Sequence, residues 1–204
     1  MKIVQITTDS REHFKQYDRP EPYFGTAPEG LLRGFSQIPG IEVHVISCSH
    51  APTRAPAKIG PNIWFHQPVV GDWGWGRTLF AGCVKAARGI IRGIDPEIVH
   101  GQGTEKDCAM AAVLSGRPSV VTLHGNMRVH AARPEHRKSH YYRMVAMLEA
   151  FAVRRADGVL AIWGFTRDRI SHEARDHVLI PNAVDPRYFD VQPSRREIPR
   201  LLFV

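Results

Sequence analysis

Three cysteines in 204 residues, Cys48, Cys83 and Cys108, are too few and too scattered for a disulfide framework, and none forms a Cys-x-x-Cys pair. Eleven histidines fall without metal-ligand spacing, and no His-Glu-x-x-His occurs, so no metal is expected. No stretch approaches the roughly 18–20 uninterrupted apolar residues of a membrane span. The N-terminus, Met1 to Asp9, lacks both a long apolar stretch and a small-residue cleavage site, and reads as a first buried strand rather than a signal peptide. Together with the unpaired thiols this points to the cytoplasm. Also missing are Gly-x-Gly-x-x-Gly, a Walker lysine and Gly-x-Ser-x-Gly, which disfavours an ordinary dinucleotide or NTP site and a serine hydrolase. Acidic residues are the minority, 20 against 27 Lys and Arg, and the net charge of +7 favours an anionic partner. The basic residues lack the interleaved stacking aromatics of an OB or RRM surface, which argues against nucleic acid.

What the chain does contain is alternation. Short apolar, β-branched runs (Lys2–Thr7, Glu42–Ser47, Ile63–His66, Ile98–His100, Ser119–Leu123, Gly158–Ile162, His177–Ile180) are separated by helical patterns, the mark of repeated βαβ units and a parallel sheet. Helices are expected from Pro28 to Pro39-Gly40, over Thr78–Ile94, over Glu105–Ser115 with Gly116 as cap, from about Arg137 to Arg155, and over Phe165 to about Glu173. The 137–155 helix is expected to turn Tyr141, Met144, Val145, Leu148, Ala152 and Val153 to its apolar side. The fold expected is α/β, a Rossmann-like, doubly wound and mainly parallel sheet. Two long loops, Ser10–Thr26 and Gly125–Glu135, leave the carboxyl ends of strands, where open α/β sheets bind ligands.

Gly25-Thr26 opens a helix after the first strand, where backbone N–H groups and the helix dipole can meet a phosphate. A plain turn glycine explains Gly25 equally well. His124-Gly125-Asn126 stands where a buried strand emerges, well placed to hydrogen-bond a ligand, although a strand-end histidine is more often structural. His100-Gly101-Gln102-Gly103-Thr104-Glu105 is similar in kind, and its histidine can simply satisfy neighbouring loop carbonyls. Asp72-Trp73-Gly74-Trp75-Gly76-Arg77 suits sugar stacking, a membrane interface or core capping, with core capping the simplest. Between residues 128 and 143 lie Arg128, Arg133, Arg137, Lys138 and Arg143, opposed only by Glu135. That cluster is either a solvated surface or an anion-binding patch.

The order of motifs resembles the N-terminal half of the glycosyltransferase group 1 family (family 4-like), retaining enzymes of GT-B fold. The resemblance is carried by Gly25-Thr26-Ala27-Pro28, Gly40-Ile41-Glu42-Val43-His44-Val45, Asp95-Pro96-Glu97-Ile98-Val99-His100, Val120-Val121-Thr122-Leu123-His124-Gly125, Ala156-Asp157-Gly158-Val159-Leu160-Ala161 and, most specifically, Ile180-Pro181-Asn182-Ala183-Val184-Asp185-Pro186-Arg187-Tyr188-Phe189. Three positions depart from the pattern: Ala183 and Thr26 replace glycines, and Trp163 stands where a serine often follows the strand.

The resemblance implies transfer of a sugar from a nucleotide-sugar to an acceptor hydroxyl with retention, with no cofactor beyond that co-substrate. His124 would be the catalytic contact to the donor sugar, and Gly25 and Thr26 would meet its diphosphate. Asn126, Arg128, His100 and Glu105 would line the acceptor cleft. Arg133, Arg137 and Lys138 would meet an anionic acceptor or, peripherally, the inner membrane surface. The acceptor would be a sugar or lipid-linked molecule. Residues 1–190 would form the acceptor-side domain, with 191–204 a linker and the first strand (Leu201–Val204) of a missing donor-binding domain, so this portion alone should be inactive. The alternative is a stand-alone Rossmann- or flavodoxin-like module binding a phosphorylated ligand.

Overall fold

A computed structural model describes residues 1–192. The expected Leu201–Val204 strand and most of the 191–204 linker lie outside the described residues. Eight strands form one sheet: β1 (Lys2–Ile6), β2 (Glu42–Ile46), β3 (Lys58–Gly60), β4 (Ile63–His66), β5 (Ile98–Gln102), β6 (Ser119–Leu123), β7 (Gly158–Ala161) and β8 (His177–Leu179). Their order is β3-β4-β2-β1-β5-β6-β7-β8, parallel throughout except for β3. Sequence order runs outward from β1 on both sides, except that antiparallel β3 lies outside β4, so the switch point of this doubly wound sheet lies between β1 and β5.

Seven helices connect the strands: α1 (Ser10–Phe14), α2 (Thr26–Ser36), α3 (Ala81–Ile94), α4 (Cys108–Val113), α5 (Met127–Ala132), α6 (His140–Arg155) and α7 (Gly164–Ile170). One sheet face is sealed by α3, α4 and α6. There Val4, Ile6, Ile46 and Val99 meet Cys83, Ala87, Ile91 and Leu148, while Val121, Leu123, Val159 and Ala161 meet Ala109, Ala152 and Val153. Each fully buried aliphatic side chain contributes about 1.5–3 kcal/mol relative to exposure. The fit is tight enough that a Cβ on Gly101 would lie 2.7 Å from the Cys108 carbonyl oxygen, which is why β5 carries glycine beneath α4.

The opposite face is covered less evenly. Leu32 of α2 and Phe24 pack on Ile3, Val43, Val45, Ile63 and Phe65. Over β5, β6 and β7 the sheet stays open, and a cavity of about 630 Å³ lies between Leu31, Phe35, Ile98, Val120, Leu160 and Ile162.

Several expectations change. The Ser10–Thr26 loop contains α1, capped by the Asp9 side chain on Arg11 N. The Gly125–Glu135 loop contains α5, capped by Asn126 on Val129 N. The first long helix begins at Ala81 rather than Thr78, because the chain first makes two 3₁₀ turns, Asp72–Gly74 and Gly76–Thr78. The 105–115 helix shrinks to Cys108–Val113 and the 165–173 helix to Gly164–Ile170, while Gly116 takes the expected positive φ of 83°. Tyr141 faces outward, with its hydroxyl donating to Glu105 O at 3.0 Å. The two tryptophans divide: Trp75 packs against the core and Trp73 is exposed.

Candidate functional site

β1, β5 and β6 all end at the same edge of the sheet, and the segments that follow them enclose a cleft of about 420 Å³ beside the switch point. Thr7, Thr8 and Ser10 come from the end of β1, Gln102, Glu105 and Lys106 from β5, and His124 from β6. Gly25 to Pro28 form the opposite wall, and Asn182 closes one side. The structure thus brings together Gly25, Thr26, Glu105 and His124, four of the expected site residues.

Gly25 is the N-cap of α2, with extended backbone at φ −64° and no side-chain cap. Any residue can adopt that geometry, and a Cβ there would meet only Pro28 Cδ at 3.8 Å, so the fold itself does not require glycine. Glu29 N is bonded to Gly25 O, and the Glu29 carboxylate takes Phe24 N at 3.0 Å. Pro28 carries no N–H, so the amides of Thr26 and Ala27 remain to present the positive end of an eleven-residue helix to the cleft.

His124 is held from behind. Its Nε2 donates to Gln102 Oε1 at 2.8 Å, and the Gln102 amide lies 3.4 Å from His100 Nε2, which is also 2.7 Å from the Thr122 hydroxyl. With Gln102 N–H and Thr122 O–H donating, His100 Nε2 is the acceptor and His100 is neutral. The same ordering protonates His124 on Nε2 and leaves Nδ1 as a lone pair without a partner among the described residues. Burial pushes the His124 pKa down, opposed by the nearby Glu105 charge. Glu105 leans over this loop: its carboxylate occupies the space where a Cβ on Gly103 would sit, and Gly103 has a φ of 87°.

The remaining expected residues lie outside this cleft, and three of them make internal hydrogen bonds or ion pairs. His100 is 7% exposed on the floor of the apolar cavity, bound to a strand neighbour rather than to loop carbonyls. Asn126 is buried as the cap of α5. Arg128 is paired with Glu173 and lies 3.5 Å from Glu149. Arg133, Arg137 and Lys138 are exposed on the connection between α5 and α6.

Sequence reading missed the supports of the cleft. Glu149, fully buried in α6, accepts from the Thr104 hydroxyl at 2.8 Å and from Met127 N at 2.9 Å, fixing the loop that carries His124. Asp9 and Arg11, both fully buried, form a two-point ion pair at 2.7 and 2.9 Å. Arg11 also donates to Arg19 O at 3.0 Å, pinning the loop that leads to Gly25. Charged residues in sequence suggest solvent, and only the three-dimensional pairing reveals them. Asn182 was visible within its motif but without a role.

The neutral His100 carries a pH consequence. Burial, with a smaller push from His124, holds its pKa at about 4. The unfolded chain protonates this side chain below about 6.5, so between those values the unfolded state binds more protons. Stability is full above about pH 6.5 and falls toward pH 4, by on the order of 3 kcal/mol from this group. His100→Gln should flatten that slope, read as the difference in urea midpoint between about pH 7.5 and about pH 4.5. Equal shifts in the two proteins would refute it.

No curated protein matches the sequence. Among solved structures, sucrose-phosphate synthase from Thermosynechococcus elongatus superposes with a TM-score of 0.58 at 13% identity, over 92% of this chain and 49% of that one. A UDP-glucosyltransferase from Polygonum tinctorium gives 0.58 at 10% identity, over 96% and 55%. UDP-GlcNAc 2-epimerase from Methanocaldococcus jannaschii gives 0.56 at 13% identity, over 89% and 46%. At such identities the likeness concerns the fold, and this chain spans about half the length of each. The model of Glycosyltransferase Family 4 matches residues 29–188, which is most of the chain and takes in β2 through the Asn182 motif. The chain therefore belongs to Glycosyltransferase Family 4, with the Rossmann-like, N-terminal GT-B fold.

Proposed function

We propose that this chain is the acceptor-binding half of a retaining glycosyltransferase that uses a nucleotide-sugar donor. The observation that supports it is the convergence of His124, the free α2 N-terminus at Gly25-Thr26 and Glu105 on one cleft at the switch point. The α2 N–H groups suit a diphosphate that carries two or more charges. His124, aimed by Gln102, offers a lone pair to a sugar hydroxyl, and transfer then relies on positioning and on stabilising leaving-group charge. Glu105 and Lys106 flank the position where an acceptor hydroxyl would enter. The nucleotide itself would be held by a second domain, so this half alone is inactive. The protein would work in the cytoplasm. Among the described residues no helix is long and apolar enough to cross a membrane. Exposed Arg133, Arg137 and Lys138 give a peripheral route to an anionic lipid-linked acceptor or to the inner membrane surface.

The test is a calorimetric titration of the 204-residue chain with UDP-glucose and GDP-mannose. We expect dissociation constants above about 1 mM, since the second domain would supply the contacts to the base and ribose. Micromolar binding by this chain alone would instead support a self-contained module for phosphorylated ligands.

A further inference from the structure

Two tryptophans two residues apart have opposite fates. Trp75 is held on every side: its indole N–H donates to Val70 O at 2.9 Å, and its ring stacks on His50 at 4.0 Å and 9°. The turn between them is pressed directly against α3, because a Cβ on Gly82 would lie 2.4 Å from Gly74 Cα. Thr78 Oγ1 donates to Trp73 O at 2.5 Å, and Gly74 N donates to Gly71 O at 2.8 Å. Both bonds hold the Trp73–Gly74 peptide. The Trp73 side chain nevertheless stands 77% exposed, and among the described residues it makes no aromatic or cation–π contact. Trp163, by contrast, is stacked on Phe165. A large flat ring on a rigid turn loses little entropy when something stacks on it.

The polar groups beside it narrow what that something is. The Asp72 side chain is 95% exposed and lies 3.9 Å from His50 Nε2, while His50 Nδ1 is taken by Glu12 at 2.6 Å. An exposed ring with an exposed carboxylate on the preceding residue suits a pyranose, whose C–H face stacks while its hydroxyls donate to the acid. The same carboxylate opposes insertion among anionic headgroups, because a charge entering the apolar interface without a partner is costly.

We propose that Trp73 and Asp72 form a glycan-stacking subsite, remote from the reacting centre, for a sugar-chain acceptor. The acceptor role rests on the glycosyl-transfer reading above; the binding of glycan does not. The turn follows β4 and so lies at the same sheet edge as the cleft. β4 and β6 are separated by four strand spacings, about 19 Å. A single sugar at His124 cannot reach Trp73, whereas an extended oligosaccharide can, so the subsite selects for chain length.

Binding to the 204-residue chain is to be followed by calorimetry on titration with maltotriose, chitotriose and α-mannotriose, and with glucose, N-acetylglucosamine and mannose. At least one trisaccharide should saturate below about 10 mM, and its monosaccharide should bind more weakly. Trp73→Ala should weaken that trisaccharide about tenfold, with Trp73→Phe within about threefold of the parent. This binding is read on the chain alone, without donor or turnover, which separates the subsite from the chemistry at the cleft. Saturation by none of the sugars, or Trp73→Ala binding like the parent, overturns the proposal. So does a Trp73-dependent blue shift with phosphatidylglycerol vesicles that no glycan reproduces.

Discussion

Replacing His124 by alanine in the enzyme carrying both halves is expected to lower kcat/KM for glycosyl transfer by about 10²–10³-fold, or about 3–4 kcal/mol of transition-state stabilisation. The size follows from placement. His124 sits where the ends of β5 and β6 and the α2 N-terminus face one space, and among the described residues its one side-chain hydrogen bond goes to Gln102. Removing the ring therefore takes little from the fold, and the variant should melt within about 1 kcal/mol of the parent. Gln102→Leu leaves the imidazole present but unaimed, and should cost a smaller factor, about tenfold, in kcat rather than KM. Parent-like turnover by His124→Ala would remove His124 from the chemistry and leave the cleft as a binding surface.

The second large effect concerns stability. Arg11→Met should destabilise the chain by about 3–5 kcal/mol, because it strands the fully buried Asp9 carboxylate without its guanidinium. Against a typical total of about 5–15 kcal/mol this is a large fraction, and for a chain of this size it lowers Tm by about 10 °C. The loop from Arg19 onward also loses its anchor on the Arg11 guanidinium, so the approach to Gly25 should loosen. Asp9→Asn combined with Arg11→Met removes both charges and keeps the cap on α1, and should recover most of the loss. A drop of less than about 1 kcal/mol for Arg11→Met in thermal unfolding would show the pair to be unimportant.

The sheet was legible because seven of its strands are short apolar runs, most of them bounded by Pro, Gly or Asp, and buried parallel strands need little else. β3 was not, since Lys58-Ile59-Gly60 has no periodicity and exists only as an irregular antiparallel partner of β4. α1 and α5 escaped for a related reason. At five and six residues they are too short to declare a helical period, and they depend on the Asp9 and Asn126 caps. Glu149 supports the start of α5 from a distant helix, a contact that no local pattern encodes. Within the site, the strand-end position of His124 and the helix start at Gly25 were visible from spacing. His100 could not be told from His124 by that criterion. What separates them is the sheet: His100 lies two residues inside the end of β5, bonded to Thr122 on β6, whereas His124 lies one residue beyond β6.

The central place of β1 also divides the cleft by how its parts fluctuate. Amides of β1, flanked by β2 and β5 and sealed on one face by α3 and α4, can exchange with solvent only when the whole domain opens. The short helix α1, which lines the cleft through Ser10 and His13, and α5, which follows the His124 turn, can fray on their own. Ligand capture under the proposed function would therefore join a floor that holds still on every timescale short of unfolding to a rim able to adjust while the floor keeps its register.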